Sequence, residues 1–323
     1  MPPFLGTDVK FRNQLLIVAL TIFHGVAFAA STLEVGDQRG NARAVMEAAG
    51  GLSGLPYTVE WHEFANAAPV LESLNSGHLD AGLVGDAPLT FAAAAGVGVK
   101  AIFASQYNGN AIIVKPGSAI QSVQDLKGKK VATVKGSAGH AFLLQSLQQA
   151  RVSPDAVKLI FTTPAEATLL LDNGSTDAVS TWEPFVAFAT TQHTATIVAD
   201  GKDHPSLNYL VASNDAIEHK RAELTDFRVR LAKARQWGVD NPKPYAAAIS
   251  KLLRVPEEVA LGKVQREGNA PIEDSARIQT MQEQTIKLYS EAGLIPKVFS
   301  ANSVLDSSFG SKQVTASAGS VSQ

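Results

Sequence analysis

Three segments place small, polar, hydrogen-bonding residues where an apolar run gives way to a helical one. They are Gly36-Asp37-Gln38-Arg39-Gly40-Asn41, Val84-Gly85-Asp86-Ala87-Pro88 and Val134-Lys135-Gly136-Ser137-Ala138-Gly139-His140. A helix that starts at such a junction leaves its first N–H groups without intrahelical partners, at the positive end of its dipole. The chemistry on offer is therefore non-covalent capture of a small anion. Glycine lets a ligand approach the backbone, and Ser or Asn adds a donor. Each junction alone favours ordinary N-capping by Asn41, Asp86 or Ser137. Three in one chain favour an anion site assembled from helix ends. Trp182 sits in Ser180-Thr181-Trp182-Glu183-Pro184, between an apolar run and a helical one. A Trp there either walls a pocket against an apolar ligand tail or packs in the core.

Bond-breaking chemistry finds less support. The chain has no nucleophile elbow, no phosphate loop ending in Lys-Ser/Thr, no G-x-G-x-x-G after a strand and no paired-His zinc motif. His62, His78, His140, His193, His204 and His219 stand alone in sequence, without metal-ligand spacing, and read as surface or structural histidines. No metal and no cofactor is expected. The absence of cysteine excludes disulfides, Cys-ligated zinc, iron–sulfur clusters, thiol catalysis and a cysteine-linked lipid anchor. A Ser-His-Asp triad is recognised by geometry rather than order, so a hydrolase or lyase stays as the alternative of a different class. With 28 Lys+Arg against 30 Asp+Glu, nothing points to nucleic acid or to a polybasic membrane surface.

The elements that must position these junctions follow from periodicity. Strand-like runs Leu33–Gly36, Tyr57–Glu63, Leu79–Val84, Ala101–Ser105 and Ala111–Lys115 alternate with helical runs Asn41–Ala49, Pro69–Asn75 and Pro88–Ala95. The rhythm continues through strands Val131–Val134, Val157–Phe161, Ala178–Thr181 and Thr194–Val198 and helices Gly136–Ala150, Pro164–Asn173 and Pro184–Thr190. It predicts α/β architecture with mostly parallel sheets covered by helices. After about Asp215 the pattern becomes helical, over 215–238, 242–252, 256–267 and 274–292. Arg228, Arg230, Lys233 and Arg235 cluster there and read as a solvated helix face. At the N-terminus, Lys10 and Arg12 precede an apolar run of about a dozen residues, too short for the roughly 20 that span a bilayer. Ala27-Phe28-Ala29-Ala30 follows with small residues at an A-x-A site. Residues 1–29 are thus expected to be a secretory signal peptide, cleaved to leave a soluble periplasmic protein. Residues 310–323, rich in Ser, Gly and Ala, are expected to form a flexible tail.

At these junctions the sequence resembles the periplasmic substrate-binding proteins of ABC importers for aliphatic sulfonates, within the nitrate/sulfonate/taurine group. The resemblance spans Leu33 to Phe309. It is carried by Gly36-Asp37-Gln38-Arg39-Gly40, Glu63-Phe64, Pro69-Val70-Leu71-Glu72-Ser73-Leu74, Gly77-His78-Leu79-Asp80 and Gly85-Asp86-Ala87-Pro88. Asp125-Leu126-Lys127-Gly128-Lys129-Lys130-Val131-Ala132, Lys135-Gly136-Ser137, Thr163-Pro164-Ala165-Glu166-Ala167, Asp177-Ala178 and Trp182-Glu183-Pro184 complete it.

The resemblance implies a two-lobed periplasmic binding protein of type II, with a hinge of two crossing strands at Ala111–Lys115 and Leu207–Ala212. Lobe 1 would comprise 30–113 plus 212–309, and lobe 2 would comprise 114–211. It implies Gln38, Asn41, Asp86, Ser137 and His140 near the anionic head, Trp182 against the organic part, and Asn66 and Thr163 as further contacts. Ala87 and Val186 would open room for a larger organic group. A carboxylate beside an anion is unfavourable, so Asp86 either caps its helix facing away or binds an amine of a zwitterionic ligand. The implied function is capture of an alkanesulfonate or related organosulfur anion by lobe closure, by a monomer that docks on an inner-membrane ABC permease. Sibling ligands are a sulfate ester, taurine, nitrate or a pyrimidine precursor. An enzyme branch of the superfamily, the aromatic sulfinate desulfinases, uses a nucleophilic cysteine that this chain lacks.

Overall fold

The computed structural model describes residues 31–310. The expected signal peptide, and residues 311–323 of the expected tail, lie outside the described residues. Strand β1 (Thr32–Gln38) leads through α1 (Arg43–Ala48), β2 (Thr58–Phe64), α2 (Ala67–Asn75), β3 (Ala81–Gly85) and α3 (Asp86–Ala94) to β4 (Val99–Tyr107). The chain then builds β5 (Ala111–Val114), β6 (Lys130–Thr133), α4 (Ala138–Gln149), β7 (Lys158–Phe161), α5 (Pro164–Asp172), β8 (Ala178–Thr181), α6 (Phe185–Thr191) and β9 (Thr196–Asp200). It returns in β10 (Ser206–Ser213), followed by α7 (Asn214–His219), α8 (Arg221–Asp240), α9 (Pro242–Leu253), α10 (Glu257–Glu267), β11 (Gly268–Pro271) and α11 (Ser275–Glu291).

These strands form two sheets, ordered β11-β4-β10-β3-β1-β2 and β7-β6-β8-β5-β9. Parallel pairing is confined to β2-β1-β3 and β7-β6-β8. The strands beside the crossings pair antiparallel: β10 with β3 and β4, β11 with β4, and β5 with β8 and β9. The sheets are therefore mixed rather than mostly parallel. A strand that leaves a sheet without a crossover helix must return in the opposite sense. Neither expected crossing strand spans the two sheets. β5 lies wholly in the second and β10 wholly in the first, and the chain passes between them at 108–110 and 201–205. The helix expected over 215–238 is two helices meeting at Lys220, and β11 falls in a stretch expected to be only a separator.

Strand alternation builds a core on each face of each sheet. In β5, Ile112 and Val114 join Phe142, Leu143 and Leu147 of α4, whereas Ala111 and Ile113 join Leu171 of α5 and Val186 of α6. In the first sheet, Leu33 and Val35 face Met46, Phe227, Leu231 and Ile249, while Val84 and Val211 face Val70, Leu71 and Leu74 of α2. Gly36 makes that second packing possible, because a Cβ there would stand 2.7 Å from the Leu79 side chain. A fifth cluster of Ala87, Leu144, Ile286 and Tyr289 binds α3, α4 and α11 together. Among the described residues no helix is long and apolar enough to cross a membrane.

Candidate functional site

The carboxyl ends of β1, β3, β6 and β8 converge on one cleft of about 300 Å³. Ligands of open α/β sheets bind at this end of the strands. Gln38, Asn41 and Asn66 line it from the first half, and Ser137 and Trp182 from the second. Five of the eight expected site residues are thus brought together.

The three junctions differ in how many donors they leave free. At the first, the buried Asp37 carboxylate accepts from the N–H groups of Gln38 (2.9 Å), Ala42 (3.0 Å) and Arg43 (2.9 Å). The Glu63 carboxyl, raised by burial and by the nearby Asp37, is held back by the N–H groups of Gly40 and Arg39. The chain's own carboxylates occupy the positions an anion would take. At the second, Asp86 Oδ1 accepts from Ala87 N–H at 2.8 Å, and Pro88 supplies no donor. At the third, Ser137 Oγ caps α4 by accepting from His140 N–H at 3.2 Å. Among the described residues the N–H groups of Ala138 and Gly139 have no partner, and Ala138 faces the cleft. The open helix end is that of α4. Gly136 shapes it: its φ is +75°, and a Cβ would stand 2.9 Å from the Phe91 ring. A side chain there is disfavoured by both conformation and space.

Asp86, His140 and Thr163 do not line the cleft. Asp86 is 4 % exposed and turns toward α11, where Oδ2 accepts from Thr285 Oγ1 at 3.0 Å. Burial lifts its pKa to about 6. The carboxylate thus faces away from the cleft, but as the first residue of α3 rather than as its cap, the N-cap being Gly85 with no side-chain capping bond. The His140 ring is buried against Phe161 and Tyr289, and its Nδ1 accepts from Gly136 N–H at 3.2 Å. Burial and the Lys135 charge push its pKa down to about 4, so it braces the loop as a neutral ring. Thr163 is exposed and caps α5 through Glu166 N–H. Ala87 and Val186 are fully buried in the cores and open no room in the cleft.

Reading the sequence alone missed the cleft floor. Asn41 Oδ1 accepts from Asn208 Nδ2 at 3.0 Å and from Arg235 Nη2. Asn208 also reaches Asn269, which donates to Glu267 at 2.9 Å. Glu267 pairs with Lys263 at 2.7 Å, with both side chains almost fully buried. Arg235 is 1 % exposed, so it is no part of a solvated helix face. It sits on the inner side of α8, near Asp37. Arg39 and Lys135 remain exposed on opposite sides of the cleft, and Arg39 lies 5.8 Å from the ring centroid of Phe185, bridging the halves. The Trp182 ring meets Phe185 edge-on at 5.9 Å. Next to it, Glu183 is lifted to about 7 by burial, against the pull of Arg266. A separate trio, Glu34, Glu60 and His62, has ligand atoms within 4.8 Å of one another on β1 and β2. None of the three lines the cleft.

Comparison with known proteins gives one consistent picture. The model of the family described as "NMT1/THI5 like" matches residues 57–244. A protein of Escherichia coli (strain K12) named for binding aliphatic sulfonates is 30% identical over 275 residues, 82% of this chain and 85% of the relative. A Bacillus subtilis (strain 168) protein of the same name is 30% identical over 78% of this chain and 77% of its own length. The crystal structure of the periplasmic aliphatic sulphonate binding protein SsuA from Escherichia coli superposes with a TM-score of 0.76 at 26% identity, covering 85% of this chain and 92% of that one.

Proposed function

The chain belongs to the NMT1/THI5-like family, and on that premise we propose that it is the solute-binding receptor of an ABC importer. Its ligand is an alkanesulfonate or related organosulfur anion, held non-covalently in the cleft. The observation that carries this reading is the open N-terminus of α4 in the cleft, flanked by Ser137 and by the exposed cations Arg39 and Lys135. A sulfonate stays ionised at neutral pH, so its seat must present donors already in place. Helix-end N–H groups and a hydroxyl do so with little reorganisation. Beneath the seat Lys263 is paired with Glu267, whereas Arg235, near Asp37, donates through Nη2 to Asn41 and keeps its buried Nε and Nη1 without a hydrogen-bond partner among the described residues. Trp182 offers apolar surface to the organic part.

In this reading the protein works in the periplasm as a monomer, with residues 30–113 plus 212–309 forming one lobe and 114–211 the other. The connections at 108–110 and 201–205 act as the hinge, and the closed form presents both lobes to the permease. Closure stabilises the bound state by its differential affinity for ligand and needs no covalent step. Thermal-shift and calorimetric titration with alkanesulfonates, sulfate esters, taurine and nitrate tests the reading. Stoichiometric binding of a sulfonate without product formation is the expected result. Turnover of the ligand, or no binding by any sulfonate or sulfate ester, refutes it.

A further inference from the structure

The cleft does not end at the α4 seat. It continues as an apolar arm between α2 and α3, walled by Ala68 and Leu71 on one side and by Pro88, Ala92 and Ala95 on the other. Pro88, Ala92 and Ala95 are spaced i, i+4 and i+7, so they share one face of the helix for about 10 Å of its length. Four of these five side chains are Ala or Pro, and their small size leaves open the space between the helices. The Phe91 ring stands where seat and arm meet. It packs over Gly136 and is braced edge-on by Tyr289 at 6.4 Å.

The charges of the cleft bear on what fits. Among the described residues the carboxylates near the seat are already paired, Glu183 with Arg266 and Glu267 with Lys263. In the arm the only acid is Glu72, beyond Leu71 on α2. An ammonium two carbons from the sulfonate would lose hydration against the apolar wall that precedes Glu72, which is costly. A methylene chain leaving the seat would bury its surface against Ala, Pro and Leu.

We infer that the ligand class is an amphiphilic sulfonate, whose apolar tail of about octyl length lies between α2 and α3, rather than a short or zwitterionic sulfonate. This rests on the sulfonate-receptor reading above. The test is calorimetric titration of the protein with ethanesulfonate, octanesulfonate and taurine. Each buried methylene contributes about fourfold in affinity. Octanesulfonate is therefore expected to bind at least about a hundredfold tighter than ethanesulfonate, with part of the tail left in solvent, and taurine more weakly than both. Ala92→Leu on half-buried α3 and Ala95→Leu at the exposed C-cap just past it fill the arm at two levels, on positions that tolerate a larger side chain. Each is expected to shrink the octanesulfonate-to-ethanesulfonate affinity ratio by about tenfold or more. Equal affinity for the two chain lengths, or a ratio unmoved by both variants, overturns the tail assignment and leaves the receptor reading intact. Binding of none of the three ligands overturns the receptor reading and the tail assignment with it.

Discussion

Arg266 offers the sharpest test of how the two halves are joined. It sits near the end of α10, just before β11 of the first sheet, yet its guanidinium serves two points of the second half and one of the connection leading into it. Nε meets Glu183 Oε1 at 2.8 Å, Nη1 meets Asp200 Oδ2 at 2.9 Å, and Nη2 donates to the Asn110 carbonyl at 3.2 Å. Exposed ion pairs contribute only about 0–1 kcal/mol. This one falls in the other regime, because the Glu183 side chain is 0% exposed and that of Arg266 17%. Removing one partner of a buried pair costs about 3–5 kcal/mol, since the remaining charge is stranded.

Arg266→Ala should therefore lower unfolding stability by about 3–5 kcal/mol at pH 8, where Glu183 is ionised in the native protein. Burial has raised the Glu183 pKa to about 7, so this carboxyl's contribution is full below its ordinary value and is lost as pH rises through 7. At pH 5 the native carboxyl is mostly protonated and the pair with Arg266 is weak, so the variant should lose distinctly less there. Urea unfolding followed by tryptophan fluorescence at the two pH values measures both quantities. A loss below about 1 kcal/mol at both, or an equal loss at both, refutes the buried-clamp account.

Three further outcomes follow from the same geometry. Ser137→Ala removes the α4 cap and a cleft hydroxyl, so it should cost about 1 kcal/mol of stability and also weaken sulfonate binding in calorimetry. Asp86→Asn should leave sulfonate affinity unchanged, because the carboxylate faces Thr285. In the native protein, the raised Asp86 pKa of about 6 implies that up to about 3 kcal/mol of stability is lost between pH 4 and 7, and Asn should remove that slope in denaturant titrations. The His140 pKa of about 4 lies below its ordinary value, so this group costs stability as pH falls from about 6.5 through 4. NMR of the imidazole should show a neutral ring at pH 5.5, and a charged ring there would contradict its buried bracing role.

The sequence alone determined what depends on neighbours within a turn or two. Alternation and helical spacing gave the order of strands and helices through both halves, and cap grammar located the α4 entrance at Ser137. Motif order gave the family, with Gln38, Asn41, Asn66, Ser137 and Trp182 on the cleft. What it misjudged depended on distant residues. Asp37 read as one more polar turn residue, but folding turns it back onto α1, where it takes the place of an anion. Asp86 read as either a ligand contact or a helix cap until α11, about 200 positions later, supplied Thr285 as its partner. Arg235 belonged by composition to a charged helix face and by packing to the floor beneath Asn41, 194 positions away. Strand direction was likewise misjudged as mostly parallel, because a two-residue period is the same in parallel and antiparallel pairs. Local steric and hydrogen-bonding rules are written in adjacent residues, whereas desolvation, pairing direction and the filling of a helix end depend on which surfaces the chain brings together. Only the tertiary structure decided those.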